Sequence, residues 1–300
     1  MSDLRVRTVF LGTSDFAAAI LRRLAASPHR PGLVVTRPDR PRGRGRKLAS
    51  PPVADAAREL GIELEQPATV NDEATRARIR GAGPEVVCVC AFGALIKDPL
   101  LSDYVMLNVH PSLLPRWRGA APVERAIIAG DERTGISIMR LTAGLDSGPI
   151  CSQQAEPIEQ QDTYGTLAPR LQALGGELLV LALDECPPCS EQDDARATYA
   201  EKIDAADRIL DPGRPAPELE RVVRALTPHI GARVELADGG RLGVSRVHVI
   251  AAGGPPQGIV SLRGPRPVLG CASGALELLA VQPPGGRPMS GEDWLRGLRR

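Results

Sequence analysis

Asn108 and His110 stand two residues apart in the run Asn108-Val-His-Pro-Ser-Leu-Leu-Pro-Arg-Trp-Arg-Gly-Ala-Ala-Pro122. In an extended chain residues i and i+2 share a face. Pro111 cannot continue the ladder, so the pair sits at the carboxyl end of its strand. A carboxamide N–H₂ can stabilise a developing oxyanion, and an imidazole can move protons near neutral pH, so the pair suits acyl transfer. A bare Asn-x-His also serves as an ordinary hydrogen-bonded pair closing a strand. A second piece is Gly144-Leu-Asp-Ser-Gly148. Its glycines let backbone approach a ligand closely, and the Asp146 carboxylate there can orient His110 and hold its proton. Taken alone, Asp146 reads first as a turn aspartate.

The elements that must position these groups alternate strand and helix. Arg5 to Leu11 reads as a strand, Gly12 as a turn, and Asp15 to Ala26 as a helix capped by Ser14. A short strand follows from Leu33 to Thr36, and Ser50 is placed to cap a helix beginning at Pro51 and Pro52. Val86 to Cys90 and Met106 to His110 are continuous apolar runs, as in strands covered on both faces. A helix over Val123–Ala129, a strand over Ile136–Leu141 and a long helix from about Tyr164 to Leu183 complete the pattern. This predicts an open, mostly parallel α/β sheet of Rossmann-like type, whose ligands sit outside the carboxyl ends of the strands. Gly12-Thr-Ser-Asp15 lacks G-x-G-x-x-G, which argues against a dinucleotide.

The alternation breaks at the polar, proline-containing stretch from Asp184 to Asp194. After a helix near Glu218–Leu226, short strands follow with glycine-rich turns: Ala232–Leu236, Arg241–Val249, Gly258–Leu262, Val268–Cys271 and Ala275–Val281. That spacing predicts a small antiparallel, OB-like β-barrel. The expected division is a catalytic domain at 1–184, a linker at 185–206 and a barrel domain at 207–300.

Composition narrows the class. Over 300 residues, hydrophobic side chains make up 43% but aromatics only 3%, so the core is built from aliphatic residues. No uninterrupted apolar run reaches the roughly 18 residues of a membrane span, and the N-terminus makes a poor secretion signal. The six cysteines lack framework spacing, which fits a reduced, cytoplasmic compartment. Cys186-Pro-Pro-Cys189 has zinc or redox spacing but no second ligand pair nearby, and His29, His229 and His248 read as ordinary surface or barrel residues. Net charge is +1, so any nucleic-acid contact must come from local patches. One such patch is the segment 37–47, where Arg37, Arg40, Arg42, Arg44, Arg46 and Lys47 face Asp39 alone, a net +5. Its glycines, prolines and like charges predict a loop that orders only on phosphates.

The pieces FLGTSDFA, TRPDRPRGRGRKL, CAFGALI, LNVHPSLLPRWRGAAP, GISIMRLTAGLDSG, TYAEKI, VVRALTP and LAVQPPGGRPM, in that order from Val9 to Trp294, resemble the methionyl-tRNA formyltransferase family. The resemblance implies transfer of a formyl group from 10-formyltetrahydrofolate to initiator methionyl-tRNA. It implies Asn108, His110 and Asp146 as the catalytic residues. It places Ser112, Leu113, Leu114 and Pro115 against the folate, with the backbone after Val89 lining its pterin pocket. It assigns Arg42, Arg44, Arg46 and Lys47 to tRNA, with Arg44 at the position of the family's critical loop arginine, at the end of the acceptor stem. It implies no metal, no membrane and no stable protein partner. Lys97 and Pro149 depart from the family pattern. The alternatives are another folate-dependent formyl enzyme, acting on a small amine or hydrolysing the donor, and an RNA-binding protein with an inactive enzyme domain.

Overall fold

The computed structural model of the chain describes residues 5–42 and 47–298, without the side chains of Arg42 and Lys47. By contacts the chain forms two compact units. The first holds Met1–Gly119, Thr134–Glu156 and Ala168–Tyr199; the second holds Ala120–Arg133, Pro157–Leu167 and Ala200–Arg300. The stretch 185–199, read from composition as a linker, is thus counted with the first unit.

The first unit opens with β1 (Thr8–Gly12), α1 (Asp15–Ala25) and β2 (Leu33–Val35). β3 (Arg40–Arg42), β4 (Lys47–Ala49), α2 (Pro52–Leu60), β5 (Glu63–Glu65) and α3 (Glu73–Ala82) follow. Next come β6 (Val86–Cys90), α4 (Leu100–Asp103), β7 (Val105–His110) and β8 (Arg118–Gly119). α5 (Pro122–Ala129) belongs to the second unit, and after it come β9 (Arg133–Arg140), β10 (Ile150–Pro157), α6 (Tyr164–Glu185) and β11 (Tyr199–Ala200). Seven strands form one sheet in the order β10-β9-β7-β6-β1-β2-β5. The pairs β1·β2, β2·β5, β1·β6 and β6·β7 are parallel, and β7·β9 is antiparallel. The order reverses between β1 and β6, so the crevice outside their carboxyl ends is the topological switch point.

Local chemistry explains these elements. Ser14 caps α1 by accepting the Ala17 N–H, and Asp15 suits the positive end of the helix dipole. Val9, Leu11, Leu33, Val35, Val87 and Val89 share a buried cluster with Ile79 of α3. Gly12 is forced: a Cβ there would come within 2.6 Å of the Phe10 ring and 3.0 Å of the Cys90 carbonyl. Ser50 does not cap α2. The N-cap is Pro51, without a side-chain cap bond, and the Ser50 hydroxyl accepts from Arg58 instead. His29 is not a surface residue: it is fully buried, its Nδ1 accepts the Val6 N–H at 3.0 Å, and its Nε2 lies 2.8 Å from Asp184 at the end of α6. By length and mean hydropathy (1.2) alone α6 could cross a membrane, yet 61% of that window is buried inside the fold, as in a core helix.

The second unit adds α7 (Ala216–Leu226), β12 (Ala232–Glu235), β13 (Arg241–Ile250) and β14 (Val260–Ser261). It ends with β15 (Val268–Gly270), β16 (Ala275–Gln282), β17 (Met289–Ser290) and α8 (Gly291–Leu298). The β-rich sheet is antiparallel, in the order β12-β13-β16-β15-β14 with β17 on β16. Leu219, Val222, Val223 and Leu226 recur at helical spacing on α7 and pack with Leu242, Val244, Leu276 and Leu278. The fold is therefore a mostly parallel α/β domain followed by a β-rich domain.

Candidate active site

β7 carries the first two groups. Val89 of β6 pairs with Asn108, and on the other side Asn108 pairs with Met139 and His110 with Ser137. Both residues lie within the sheet interior, Asn108 7% exposed and His110 4%. The Nε2 of His110 lies 2.8 Å from the Trp117 carbonyl. A carbonyl can only accept, so Nε2 carries the hydrogen, and in the neutral ring Nδ1 keeps the lone pair. That Nδ1 lies 3.7 Å from Asp146 Oδ2. Among the described residues the Asn108 carboxamide makes no hydrogen bond to protein. The residue is largely buried, but its amide atoms are not among the fully enclosed unpartnered ones, so the carboxamide is open to solvent and to a ligand.

Asp146 is held in an unusual backbone state, φ 45°, in a loop after β9. Its Oδ2 accepts the Gly119 N–H at 2.8 Å. Gln192 donates to the carbonyls of Asp146 (2.9 Å) and Gly148 (2.7 Å). Its own carbonyl oxygen accepts from Nε of the buried Arg118 at 3.0 Å, and Arg118 also pairs with Asp194 at 2.7 Å. Gly148 is required here, because a Cβ would collide with the Arg140 carbonyl. The Pro149 carbonyl accepts the Arg140 N–H at 2.9 Å, so the departure at Pro149 leaves this turn closed. Left-handed backbone at Trp117 (φ 65°) and at Asp146 gathers around His110. Non-glycine residues adopt that region only when their surroundings over-determine it.

The segment after His110 is braced from within. Ser112 is fully buried and its hydroxyl donates to the Arg116 carbonyl at 2.6 Å. Ser137 donates to the Ser112 carbonyl at 2.6 Å and accepts the Leu114 N–H at 3.1 Å. Gln153 donates to both Ser137 (2.8 Å) and the Leu114 carbonyl (3.0 Å). Of the four residues expected against folate, Ser112 and Leu114 are therefore turned to the interior, while Leu113 and Pro115 are half-buried. A cleft of about 430 Å³ lies at the switch point, lined by Thr13, Ser14, Arg37, Ala91 and Gly93 among others. Thr13 ties its two sides by donating to the Phe92 carbonyl at 2.7 Å.

The structure brings Asn108, His110 and Asp146 into one buried neighbourhood. Sequence reasoning missed Gln192, Arg118 and Gln153, which hold them; Gln192 lay in a polar stretch that resembled a linker, and its partners are distant in sequence. Arg44 and Arg46 lie outside the described residues, as do the side chains of Arg42 and Lys47. The stems around them are ordered as a two-stranded ladder, Arg40 opposite Ala49 and Pro41 opposite Leu48, in place of the loop expected there. A ladder needs no helix propensity, and Pro41 costs little on its free edge.

The cysteines divide. Cys88 and Cys90 are buried in β6, next to β7; burial pushes the Cys88 thiol up to about 12 and Cys90 further. Neither serves as a nucleophile at neutral pH. Contrary to the expected reduced state, Cys151 and Cys189 form a disulfide. Strand β10 and the chain after α6 meet at an Ile150–Ser190 bridge, which spacing alone does not reveal. His229 is likewise partnered, its Nε2 lying 2.9 Å from Glu124 and its ring stacked on Tyr164. Among the described residues no three His, Cys, Asp or Glu side chains gather in a metal-ligating group.

A mostly parallel sheet with an amide and an imidazole at one strand end, faced by a loop carboxylate, suits the transfer of an acyl group. The chain belongs to the formyl transferase family: the family's formyl transferase model matches residues 6–183 and its C-terminal domain model residues 202–299. It is 41% identical over 310 residues to a methionyl-tRNA formyltransferase of Halorhodospira halophila, covering 99% of this chain and 97% of the relative. It is 42% identical to a methionyl-tRNA formyltransferase of Methylococcus capsulatus, covering 97% and 96%. A structure of HypX from Aquifex aeolicus in complex with tetrahydrofolic acid superposes with a TM-score of 0.65 at 15% identity, over 97% of this chain and 47% of that one, and so shares the fold.

Proposed function

We propose that the protein transfers the formyl group of 10-formyltetrahydrofolate to the free amino group of initiator methionyl-tRNA, giving N-formylmethionyl-tRNA for translation initiation. The observation that carries the chemistry is the Asn108 carboxamide, open and without a protein partner among the described residues, on the same strand end as a His110 whose Nδ1 faces Asp146. The choice of acceptor is supported by the near full-length match to methionyl-tRNA formyltransferases.

In this reading the folate supplies the formyl carbon, and the amine attacks it directly, so no covalent enzyme intermediate and no metal are required. Asn108 donates to the formyl oxygen as negative charge develops there. His110 takes the proton released by the attacking amine at Nδ1, while Nε2 stays fixed on the Trp117 carbonyl. Asp146 orients the ring and offsets the charge of the imidazolium. The proton then passes to the departing N10 of the folate. Leu113 and Pro115 offer apolar surface to the folate, and Ser112 and Leu114 shape that surface from beneath. Arg42, Arg44, Arg46 and Lys47 contact the tRNA, and residues 207–300, net +4, form its second binding domain, joined to the 1–184 catalytic domain through 185–206. The reading places the protein in the cytoplasm, without membrane or stable protein partner.

The test is incubation with 10-formyltetrahydrofolate and methionyl-tRNA, followed by identification of the amino acid released from the tRNA. Formyl-methionine supports the reading. Consumption of the folate with unmodified methionine on the tRNA, or formylation of small amines alone, overturns it.

A further inference from the structure

The Cys186-Pro-Pro-Cys189 spacing, that of exchange-competent dithiols, takes no part in the site described above. The structure adds a third sulfur: Cys189 is bonded to Cys151, and Cys186 is an exposed free thiol. All three cysteines line one cavity of about 90 Å³. Its walls are otherwise mostly aliphatic, Val86, Leu107, Ala182 and Leu183 among them. Packed interiors hold few voids, so this space gives a sulfur room to change partner.

The chain on either side of Cys186 is held differently. Before it, α6 is pinned by Asp184, whose Oδ1 lies 2.8 Å from Nε2 of the buried His29. The Cys186 N–H donates to the Ala182 carbonyl at 3.1 Å, and there the backbone turns through the left-handed region, φ 45°. Beyond it, the chain runs antiparallel to residues 148–151 in a single register. Cys189 is bonded to Cys151, and Ser190 exchanges two backbone hydrogen bonds with Ile150, of 2.8 and 2.9 Å. Gln192 then donates to the Gly148 carbonyl at 2.7 Å and to the Asp146 carbonyl at 2.9 Å. The disulfide is thus the covalent fastening in a row whose far end holds the Asp146 loop.

We infer that Cys151, Cys186 and Cys189 form a thiol–disulfide exchange site that tunes the hold on Asp146. The Cys186 thiol loses its proton to solvent, and the thiolate attacks Cys189 Sγ. The Cys186–Cys189 bond forms as the Cys151–Cys189 bond breaks. Cys151 leaves with the electron pair and takes up a proton, so no oxidant or reductant is consumed. The exchange unfastens β10 from the segment bearing Gln192, and it moves the disulfide to the exposed Cys186, open to a dithiol reductant. In a reducing compartment disulfides are rare, and those present exchange or sense redox state, which agrees with the cytoplasmic reading above. The link to turnover rests on the formyl-transfer reading; the exchange itself does not.

The experiment holds the full-length protein, purified without reductant, at about pH 8.5, where free thiols are partly ionised. The sample is quenched in acid, free thiols are alkylated with N-ethylmaleimide, and linked peptides are mapped by mass spectrometry. Wild type is expected to give a Cys186–Cys189 peptide together with alkylated Cys151. Cys186→Ser is expected to lose that species and keep Cys151–Cys189. Cys151–Cys189 as the sole linkage in wild type, or no linkage among the three, overturns the exchange site. The coupling is read from kcat and KM in Cys186→Ser, which cannot exchange. Complete reduction with dithiothreitol is expected to lower its kcat by roughly 2–30-fold, the scale of coupling carried by positioning contacts, with KM for methionyl-tRNA unchanged. A kcat that reduction does not move overturns the coupling. No formyl transfer by wild type overturns the substrate reading instead, while the peptide map still decides the exchange.

Discussion

Two segments leave the carboxyl edge of the same sheet and are held in opposite ways. The one after β7, residues 111–119, is stitched to β9, β10 and the chain near Gln192 by buried hydroxyl, amide and backbone bonds. The one after β2, residues 36–49, is held at its base, where Gln66 donates to the Arg37 carbonyl (3.1 Å) and to Asp39 (2.8 Å), and by its own short ladder. Acyl transfer requires a donor and a base fixed to fractions of an ångström. Attraction to a polyanion requires charge density and tolerates loose geometry. The first segment therefore carries internally partnered polar groups, its buried Arg118 matched by Asp194, and the second carries six cations against one acid.

The comparison breaks most visibly at its rigid side. Asn108→Ala should lower kcat by roughly 10²–10³-fold, the scale of a lost oxyanion donor. Folding should be retained, since the carboxamide holds no protein partner. An unchanged kcat would remove Asn108 from the chemistry. Asp146→Asn should likewise reduce kcat far more than it weakens tRNA binding, and Gln192→Ala should do the same to a smaller extent, because it loosens the loop that carries Asp146. Normal turnover with poor tRNA affinity in Asp146→Asn would move that residue to binding.

On the basic side, Arg44→Ala should sharply lower kcat/KM for initiator methionyl-tRNA and have less effect on a tRNA whose acceptor end is fully paired. Equal, small losses on both, with about one unit of salt slope, would reduce the segment to an electrostatic patch. The smallest effect concerns stability. Ser112→Ala removes the fully buried hydroxyl that braces the Arg116 carbonyl and should cost about 1 kcal/mol in denaturant unfolding, whereas a surface change such as Arg40→Ala should stay within about 0.5 kcal/mol. Equal costs at the two positions would erase the contrast.

The division also explains what the sequence revealed. β1, β6 and β7 were legible as continuous apolar runs because the sheet is covered on both faces, whereas Asn108, His110 and Asp146 stood out only through the family resemblance of the stretches that carry them, since alone Asn-x-His reads as a strand-end pair and Asp146 as a turn aspartate. α3 went unread because its buried side is only Thr75 and Ile79. β10 went unread because it is an edge strand carrying Gln153 and Gln154, with little alternation. The supports of the site were hidden for a different reason. Gln192 holds the Asp146 loop across 46 residues of sequence, and the Cys151–Cys189 bond spans 38. Such pairings follow from tertiary approach, and no local pattern announces them.

The central claim is that His110 exchanges a proton in the reaction from a ring fixed by the Trp117 carbonyl and faced by Asp146. Single-turnover formyl transfer to methionyl-tRNA by His110→Ala, at saturating folate and tRNA, tests it most directly. The account predicts a rate lower by roughly 10²–10³-fold with tRNA affinity preserved. A near-normal rate would contradict it.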